Sequence, residues 1–81
     1  MSYFVYIVKC NDDTLYTGIA IDVEKRLDEH NHLSKGAKYT KARRPVELVY
    51  KEKCEDRSCA CKREYAIKQL SRKEKKELID A

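Results

Sequence analysis

The chain alternates between short runs with a two-residue apolar period and longer runs with a helical period. Tyr3 to Cys10 is rich in aromatic and β-branched residues, which is typical of a β-strand. A polar turn, Asn11 to Asp13, leads to a second strand from Thr14 to Ala20, and this short link predicts an antiparallel hairpin. Because strand side chains alternate, a suitable register would place Tyr6 and Tyr16 on the same side of the hairpin.

A helical pattern follows the hairpin. It predicts a helix that is capped by Asp22 and runs to about Asn31. Val23, Leu27 and His30 share one face of this helix, and Arg26 lies on the flank. Arg26 and His30 are four positions apart, so their side chains are neighbours.

The second half of the chain predicts one more strand and two more helices. Pro45 introduces a strand, Val46 to Lys51, in which Val46, Leu48 and Tyr50 share one face. A helix capped by Asp56 follows and ends near Leu70. The capping box formed by Ser71 and Glu74 begins a last helix, which runs from Arg72 to Asp80.

The middle helix carries an apolar stripe with a carboxylate at its edge. At helical spacing its members fall on one side of the helix, and Glu64 lies beside them instead of on the opposite face. The stripe consists of Cys59, Ala60, Arg63, Ala66, Ile67 and Leu70.

The segment from His32 to Pro45 shows neither the helical nor the strand period, which predicts a loop. Loops of this length in small domains are often functional. No acidic residue occurs between Glu29 and Glu47. A run of one charge sign on a loop indicates either a phosphate-facing surface or a solvated loop without a partner. The basic residues of the run are Lys35, Lys38, Lys41, Arg43 and Arg44.

Composition narrows the class of protein. Its 81 residues predict one domain spanning residues 1–81, with a thin core. The net charge of +4 is too mild to imply nucleic acid by itself. The apolar runs are too short for a signal peptide or a membrane span, so we expect a cytoplasmic protein without membrane contact.

The four cysteines are expected to be reduced thiols. Cys54, Cys59 and Cys61 have a C-x4-C-x-C spacing, which does not match the paired ligands of structural zinc sites. We therefore favour packing over a metal site for them. The hypothesis of a thiol-based redox or metal-binding function ranks far behind the functional hypotheses given below.

Several polar side chains match the needs of phosphodiester hydrolysis. The reaction needs a group that accepts a proton from water, a cation beside the phosphate and help for the leaving oxygen. Tyr6 or Tyr16 suits the first role if a nearby cation lowers its pKa. Arg26 suits the phosphate, His30 proton transfer, and Glu64 a single Mg²⁺ or Mn²⁺.

Each of these residues also has an ordinary structural explanation. Tyrosines in sheets usually pack, and the chain has six of them. A histidine on an apolar helix face is more often part of the core than a catalyst. Arg26 can pair with Asp22 or with a neighbour of Asp28 on the helix surface, and Glu64 can pair with Lys68 four residues later.

Taken together, the residues resemble the GIY-YIG nuclease superfamily, in particular its small stand-alone bacterial branch. Phe4-Val5-Tyr6 occupies the place of the first motif, and Tyr16-Thr17-Gly18 matches the second. Arg26 and His30 follow at the family spacing Y-x-G…R-x-x-x-H, and Glu64 matches the metal-binding glutamate. The segment GAKYTKARRPVELVY resembles a signature of the branch, so the resemblance covers Tyr3 to about Ile79.

This resemblance implies an α+β fold in the order β-β-α-β-α-α, with a three-stranded antiparallel sheet flanked by helices. It also implies one-metal hydrolysis of DNA, including branched or nicked DNA in repair or recombination, with RNA not excluded. The loop residues Lys38, Lys41, Arg43 and Arg44 would follow the nucleic-acid backbone, and Tyr39 would stack on an exposed base. We expect a monomer whose specificity comes from this loop or from a protein partner.

The sequence departs from the family pattern at three places. Phe4-Val5 replace Gly-Ile in the first motif, and Ile19 stands where many relatives have lysine. No asparagine follows Glu64, although some members have one there. These departures keep a second hypothesis open, a non-catalytic nucleic-acid-binding module with the same fold.

Overall fold

A three-stranded antiparallel sheet lies at the centre of the computed structural model, which describes residues 2–32 and 43–81. The spatial order of its strands is β2-β1-β3. The α+β class and the order β-β-α-β-α-α predicted from the sequence are confirmed. Over the described residues the elements are β1 (Tyr3–Lys9), β2 (Leu15–Ala20), α1 (Val23–His32), β3 (Glu47–Cys54), α2 (Arg57–Lys68) and α3 (Arg72–Asp80).

The register of the β1–β2 hairpin places the two motif tyrosines on one face of the sheet. Tyr6 lies opposite Gly18, and Tyr16 lies opposite Val8, two residues further along β1. The predicted shared face is therefore confirmed. The Asp13 N–H donates a hydrogen bond to the Cys10 carbonyl oxygen at 2.9 Å and so closes the turn between the two strands. Asp13 adopts a φ of 72°, a conformation that aspartate tolerates better than most residues.

The helices cover the two faces of the sheet with separate apolar clusters. On the Tyr6 face, α1 packs its apolar side, and on the opposite face α2 and α3 pack. The first cluster is built from Tyr6, Val8, Cys10, Val23 and Val46. The second is built from Val5, Ile7, Cys54, Ala60 and Ile67.

Side-chain caps define where the helices begin. Asp22 and Asp56 each accept a hydrogen bond from the backbone N–H three residues later, at 3.0 and 2.8 Å. Ser71 and Glu74 exchange the two hydrogen bonds of a capping box, at 3.1 and 2.9 Å. The three helix starts predicted from these residues are confirmed.

β3 differs from the predicted strand in length and in its alternation. It runs Glu47–Cys54 instead of Val46 to Lys51. A bulge leaves Val49 as an extra residue between the paired positions of Leu48 and Tyr50. The prediction that Leu48 and Tyr50 share a face is wrong, because an extra residue reverses the alternation beyond it. Leu48 packs in the Tyr6 cluster and Tyr50 in the opposite one.

The apolar stripe of α2 is narrower than predicted. Ala60 and Ile67 are completely buried, whereas Cys59 and Ala66 are exposed. The prediction that Cys59 and Ala66 belong to the buried side of α2 is wrong. The helix buries Ala60 and Ile67, seven residues apart, against the sheet, and the other two residues lie to the side of this line. All four cysteines are free thiols. No helix in residues 2–32 and 43–81 has the length and apolar character needed to cross a membrane.

The packing of α2 can be tested at Ile67, which is completely buried. We expect Ile67→Ala to lower the free energy of unfolding by about 2–5 kcal/mol, because it leaves a cavity in the core. Tyr65→Ala on the same helix is the control, since Tyr65 is 68% exposed and its loss should cost within about 0.5 kcal/mol.

Urea unfolding followed by circular dichroism measures both values. Should the alanine variant fail to fold, Ile67→Val should cost about 0.5–1.5 kcal/mol by the same measurement. Equal losses at positions 65 and 67 would contradict the orientation of α2.

Candidate active site

A buried hydrogen bond between Tyr6 and His30 forms the centre of the site. Tyr6 is 2% exposed and lies on the central strand, and His30 is completely buried in the last turns of α1. The Tyr6 Oη atom lies 2.8 Å from His30 Nε2. The two ring centroids are 5.9 Å apart with the planes tilted by 60°. Each polar atom thus satisfies the other inside an apolar cluster.

Gly18 makes room for the Tyr6 phenol. A Cβ atom at this position would lie 2.6 Å from Tyr6 Oη and 2.7 Å from Cζ, closer than nonbonded atoms can approach. The ring of Tyr6 therefore lies directly across the backbone of β2. Glycine is required here for close approach of the ring.

Tyr16 contacts the same histidine from the neighbouring strand. Its ring centroid is 5.5 Å from that of His30, with the planes at 68°. Tyr16 is half-buried, whereas Tyr6 is almost completely buried. His30 thus contacts both candidate tyrosines, and Tyr16 is the more accessible of the two.

Burial dominates the ionisation of the Tyr6–His30 pair. It raises the pKa of Tyr6 to about 12, although hydrogen bonding and charge from Arg26 act to lower it. Burial also lowers the pKa of His30 to about 4, and the positive charge of Arg26 acts in the same direction. A tyrosine pKa lowered by a nearby cation is therefore not found at Tyr6, because burial outweighs the cation. At neutral pH a neutral phenol meets a neutral imidazole.

Arg26 extends from the flank of α1 toward Tyr6. Its Nη1 atom lies 3.0 Å from Glu29 Oε1, and both side chains are partly buried. The guanidinium also acts to lower the pKa of Tyr6, so its charge lies within electrostatic reach of the phenol. The ion pair is thus made with Glu29, a neighbour of Asp28, which is the second of the two kinds of structural partner that the sequence suggested. The spacing of three residues between Arg26 and Glu29 was the available signal.

Glu64 approaches the site from α2. Its side chain is 23% exposed and lies 3.5 Å from the Lys68 ammonium, the pairing expected from their spacing. The carboxylate also raises the pKa of Tyr6. Glu64 is therefore within electrostatic reach of the phenol, although it comes from a helix on the other face of the sheet.

Glu64 alone, among the described residues, would have to supply the protein's share of a metal site. No group of three His, Cys, Asp or Glu side chains within residues 2–32 and 43–81 is arranged to hold a metal ion. Mg²⁺ is commonly bound through one or two carboxylates, with water and substrate phosphate completing its shell. Glu64, a partly buried carboxylate within electrostatic reach of the Tyr6 phenol, meets that requirement.

The predicted nucleic-acid contacts divide into described and undescribed residues. Lys38, Tyr39 and Lys41 lie outside the described residues. The Arg43 Nε atom lies 3.0 Å from Asp12 Oδ2 in the hairpin turn. Arg44 donates hydrogen bonds to backbone carbonyls at the end of α1. Both arginines therefore have partners within the chain.

Comparison with known proteins identifies the family. A model of the GIY-YIG catalytic domain matches residues 2–77, so the chain belongs to the GIY-YIG nuclease family. It is 60% identical over 80 residues to a UPF0213 protein of Desulfotalea psychrophila. The match covers 99% of this chain and 73% of that protein.

Two solved structures are also similar. An NMR structure of a protein from E. faecalis is 41% identical with a TM-score of 0.67, covering 99% of this chain and 84% of that one. An NMR structure of a UPF0213 protein from Bacillus halodurans is 40% identical with a TM-score of 0.63 and the same coverage.

The space above Gly18 can be tested by adding one methyl group. We expect Gly18→Ala to displace the Tyr6 ring and break its hydrogen bond to His30, at a cost of about 1–3 kcal/mol in stability. Thermal unfolding measures the cost, and histidine-selective ¹⁵N NMR reports the state of the His30 ring. Ala20→Gly on the same strand is the control. A His30 signal unchanged in Gly18→Ala would contradict the close approach of the ring.

The low pKa of His30 predicts a specific pH dependence of stability. Between an ordinary pKa of 6.5 and the folded value of about 4, the unfolded chain binds a proton at His30 that the folded protein does not. The free energy of unfolding should therefore fall as the pH drops from about 6.5 to about 4, by on the order of 3 kcal/mol.

Urea unfolding at several pH values measures this contribution. His30→Gln should remove it, whereas His32→Gln, at an exposed position of the same helix, should keep it. Identical pH profiles for the two variants would rule out His30 as the source.

Proposed function

We propose that the protein is a metal-dependent endonuclease that hydrolyses phosphodiester bonds in DNA. One observation carries the proposal: Tyr6 hydrogen-bonds to His30, and the Arg26 guanidinium and the Glu64 carboxylate, which come from α1 and α2, both act on the pKa of Tyr6. A buried phenol and imidazole, a cation and a metal-binding carboxylate are complementary parts of a hydrolytic site.

The Tyr6–His30 pair is suited to passing a proton. In the tautomer that carries its proton on Nδ1, His30 accepts the Tyr6 hydroxyl proton at Nε2. As that proton moves to Nε2, Tyr6 Oη can accept a proton from the attacking water. This relay avoids a free phenolate, which the raised pKa of Tyr6 makes costly, and leaves the proton on His30, whose lowered pKa makes the imidazolium short-lived. The half-exposed Tyr16 is the other candidate base, and it also contacts His30.

Arg26 is placed to bind the scissile phosphate. A guanidinium donates paired hydrogen bonds to phosphate oxygens and stays charged throughout the reaction. Its ion pair with Glu29, on the same helix, orients the Arg26 side chain. About a third of the Arg26 side chain remains exposed. The same guanidinium lies beside Tyr6, so the bound phosphate would lie close to the attacking water.

Glu64 would hold Mg²⁺ or Mn²⁺. A bound divalent cation supplies positive charge to the phosphate oxygens and to the leaving oxygen. For this the Glu64 carboxylate must exchange its contact with the Lys68 ammonium. Lys68 is exposed and on a flexible stem, so the exchange costs little.

The substrate preference is proposed from the family and from the sequence. We propose structured or branched DNA, in repair or recombination, as the substrate of a cytoplasmic monomer. Arg43, on the surface near the hairpin turn, is the described member of the basic run best placed to meet a backbone phosphate. Lys38, Tyr39 and Lys41 extend the proposal on sequence alone, and a protein partner is the other source of specificity.

A non-catalytic nucleic-acid-binding module is the second candidate. The ion pairs that Arg26 and Glu64 make within the chain favour it, because both side chains already have partners. Ile19 also packs against the second cluster, where many relatives have lysine. A non-catalytic module would bind nucleic acid without cleaving it.

A cleavage assay separates the two candidates. Purified protein is incubated with labelled duplex, flapped, four-way and single-stranded DNA, and with RNA, in the presence of Mg²⁺ or Mn²⁺. We expect Glu64→Gln and Arg26→Ala each to lower kcat about a hundredfold or more, because each removes charge stabilisation in the transition state. Glu77→Gln, an exposed carboxylate on α3, is the matched control and should cleave like the parent protein.

The outcomes are distinct. Cleavage that survives both Glu64→Gln and Arg26→Ala would come from a contaminating nuclease and would defeat the catalytic proposal. Salt-dependent binding without any cleavage by the parent protein would establish the binding module instead.

A further inference from the structure

Arg44 lies against the C-terminal end of α1. Its Nη2 atom donates to the Glu29 carbonyl oxygen at 3.2 Å, and its Nε atom donates to the His30 carbonyl oxygen. Both carbonyls belong to the last turn of α1 that the structure describes, in the helix Val23–His32. The planar guanidinium therefore binds two carbonyls of this turn at once, and a positive charge is favourable toward the C-terminal end of a helix.

A second contact holds the same two segments together. The Asn31 side chain accepts a hydrogen bond from the Val46 N–H at 2.7 Å and donates to the Val46 carbonyl at 3.1 Å. Val46 is buried, and the Arg43 carbonyl accepts a hydrogen bond from the Asn11 N–H at 2.8 Å. The segment carrying Arg44 is thus anchored to both the hairpin turn and the helix end.

We propose that Arg44 is a positioning residue, which holds the His30 backbone so that the imidazole meets the Tyr6 hydroxyl. The carbonyl that Arg44 binds belongs to the residue whose ring makes the central hydrogen bond. Its relevance to cleavage rests on the proposed function. This role differs from the phosphate contact that the basic run predicts for Arg44.

The charge of Arg44 supports this assignment. After burial and the charge of Arg26, it is a further contribution that lowers the pKa of His30. Arg44 therefore favours the neutral imidazole, which can accept a hydrogen bond at Nε2. A phosphate bound at Arg44 would compete for the guanidinium that caps the helix.

Adjacent arginines provide a matched pair of variants. Arg44→Ala and Arg43→Ala remove the same charge from neighbouring positions, but Arg43 pairs with Asp12 away from His30. Arg44→Lys keeps the charge and loses the planar fork, so it separates geometry from charge and serves if Arg44→Ala does not fold. Each variant is compared with the parent protein well below its unfolding temperature.

The first measurement is ¹⁵N NMR of histidine-labelled protein. The exposed His32 supplies an internal reference for His30. We expect the His30 Nε2 signal to move in Arg44→Ala and in Arg44→Lys, because the hydrogen bond to Tyr6 lengthens. Arg43→Ala should leave it in place.

The second measurement is cleavage kinetics at several salt concentrations. We expect Arg44→Ala to lower kcat on the order of tenfold to a hundredfold, with KM changed less than about twofold. Arg43→Ala should instead raise KM and reduce the salt slope by about one.

Two results would overturn the proposal: an unchanged His30 signal in Arg44→Ala, or a raised KM with a salt slope reduced by about one. If the parent protein does not cleave nucleic acid, the proposed function fails, and the NMR comparison still decides whether Arg44 positions His30.

Discussion

The hydrogen bond between Tyr6 and His30 is the contact on which the rest of the site depends. A phenol and an imidazole buried without partners would each cost free energy, so the pair is stable only while the two groups meet. That condition constrains several other parts of the molecule. Gly18 must lack a side chain, α1 must pack on the Tyr6 face of the sheet, and its last turn must stay in place.

The same constraint explains how so small a protein can combine a core with the candidate site. Tyr6 contributes its ring to the apolar cluster and its hydroxyl to His30, so one side chain serves both purposes. The charged groups Arg26 and Glu64 come from different faces of the sheet, act on the pKa of Tyr6 and remain partly exposed. A buried polar pair and charged side chains thus act on one another's pKa values, which is the environment found at functional sites.

The departures from the family pattern have different structural consequences. Ile19 packs against the second cluster with the side chains of the opposite face, so it contributes to the core beneath β2. Phe4 also packs, at the border of the Tyr6 cluster. In this chain the residues that depart from the pattern add apolar contacts, while Tyr6 and Gly18 keep the geometry that places the phenol.

The sequence by itself determined the element order, the helix starts and the shared face of Tyr6 and Tyr16. These features depend on interactions between residues close in the chain, such as the caps at Asp22 and Asp56 and the two-residue period of a strand. Only the tertiary structure decided that Val49 forms a bulge, that the pKa of Tyr6 is raised and that Arg44 contacts the end of α1. Each of these depends on burial or on contacts between distant segments, and neither quantity can be obtained from local sequence pattern alone.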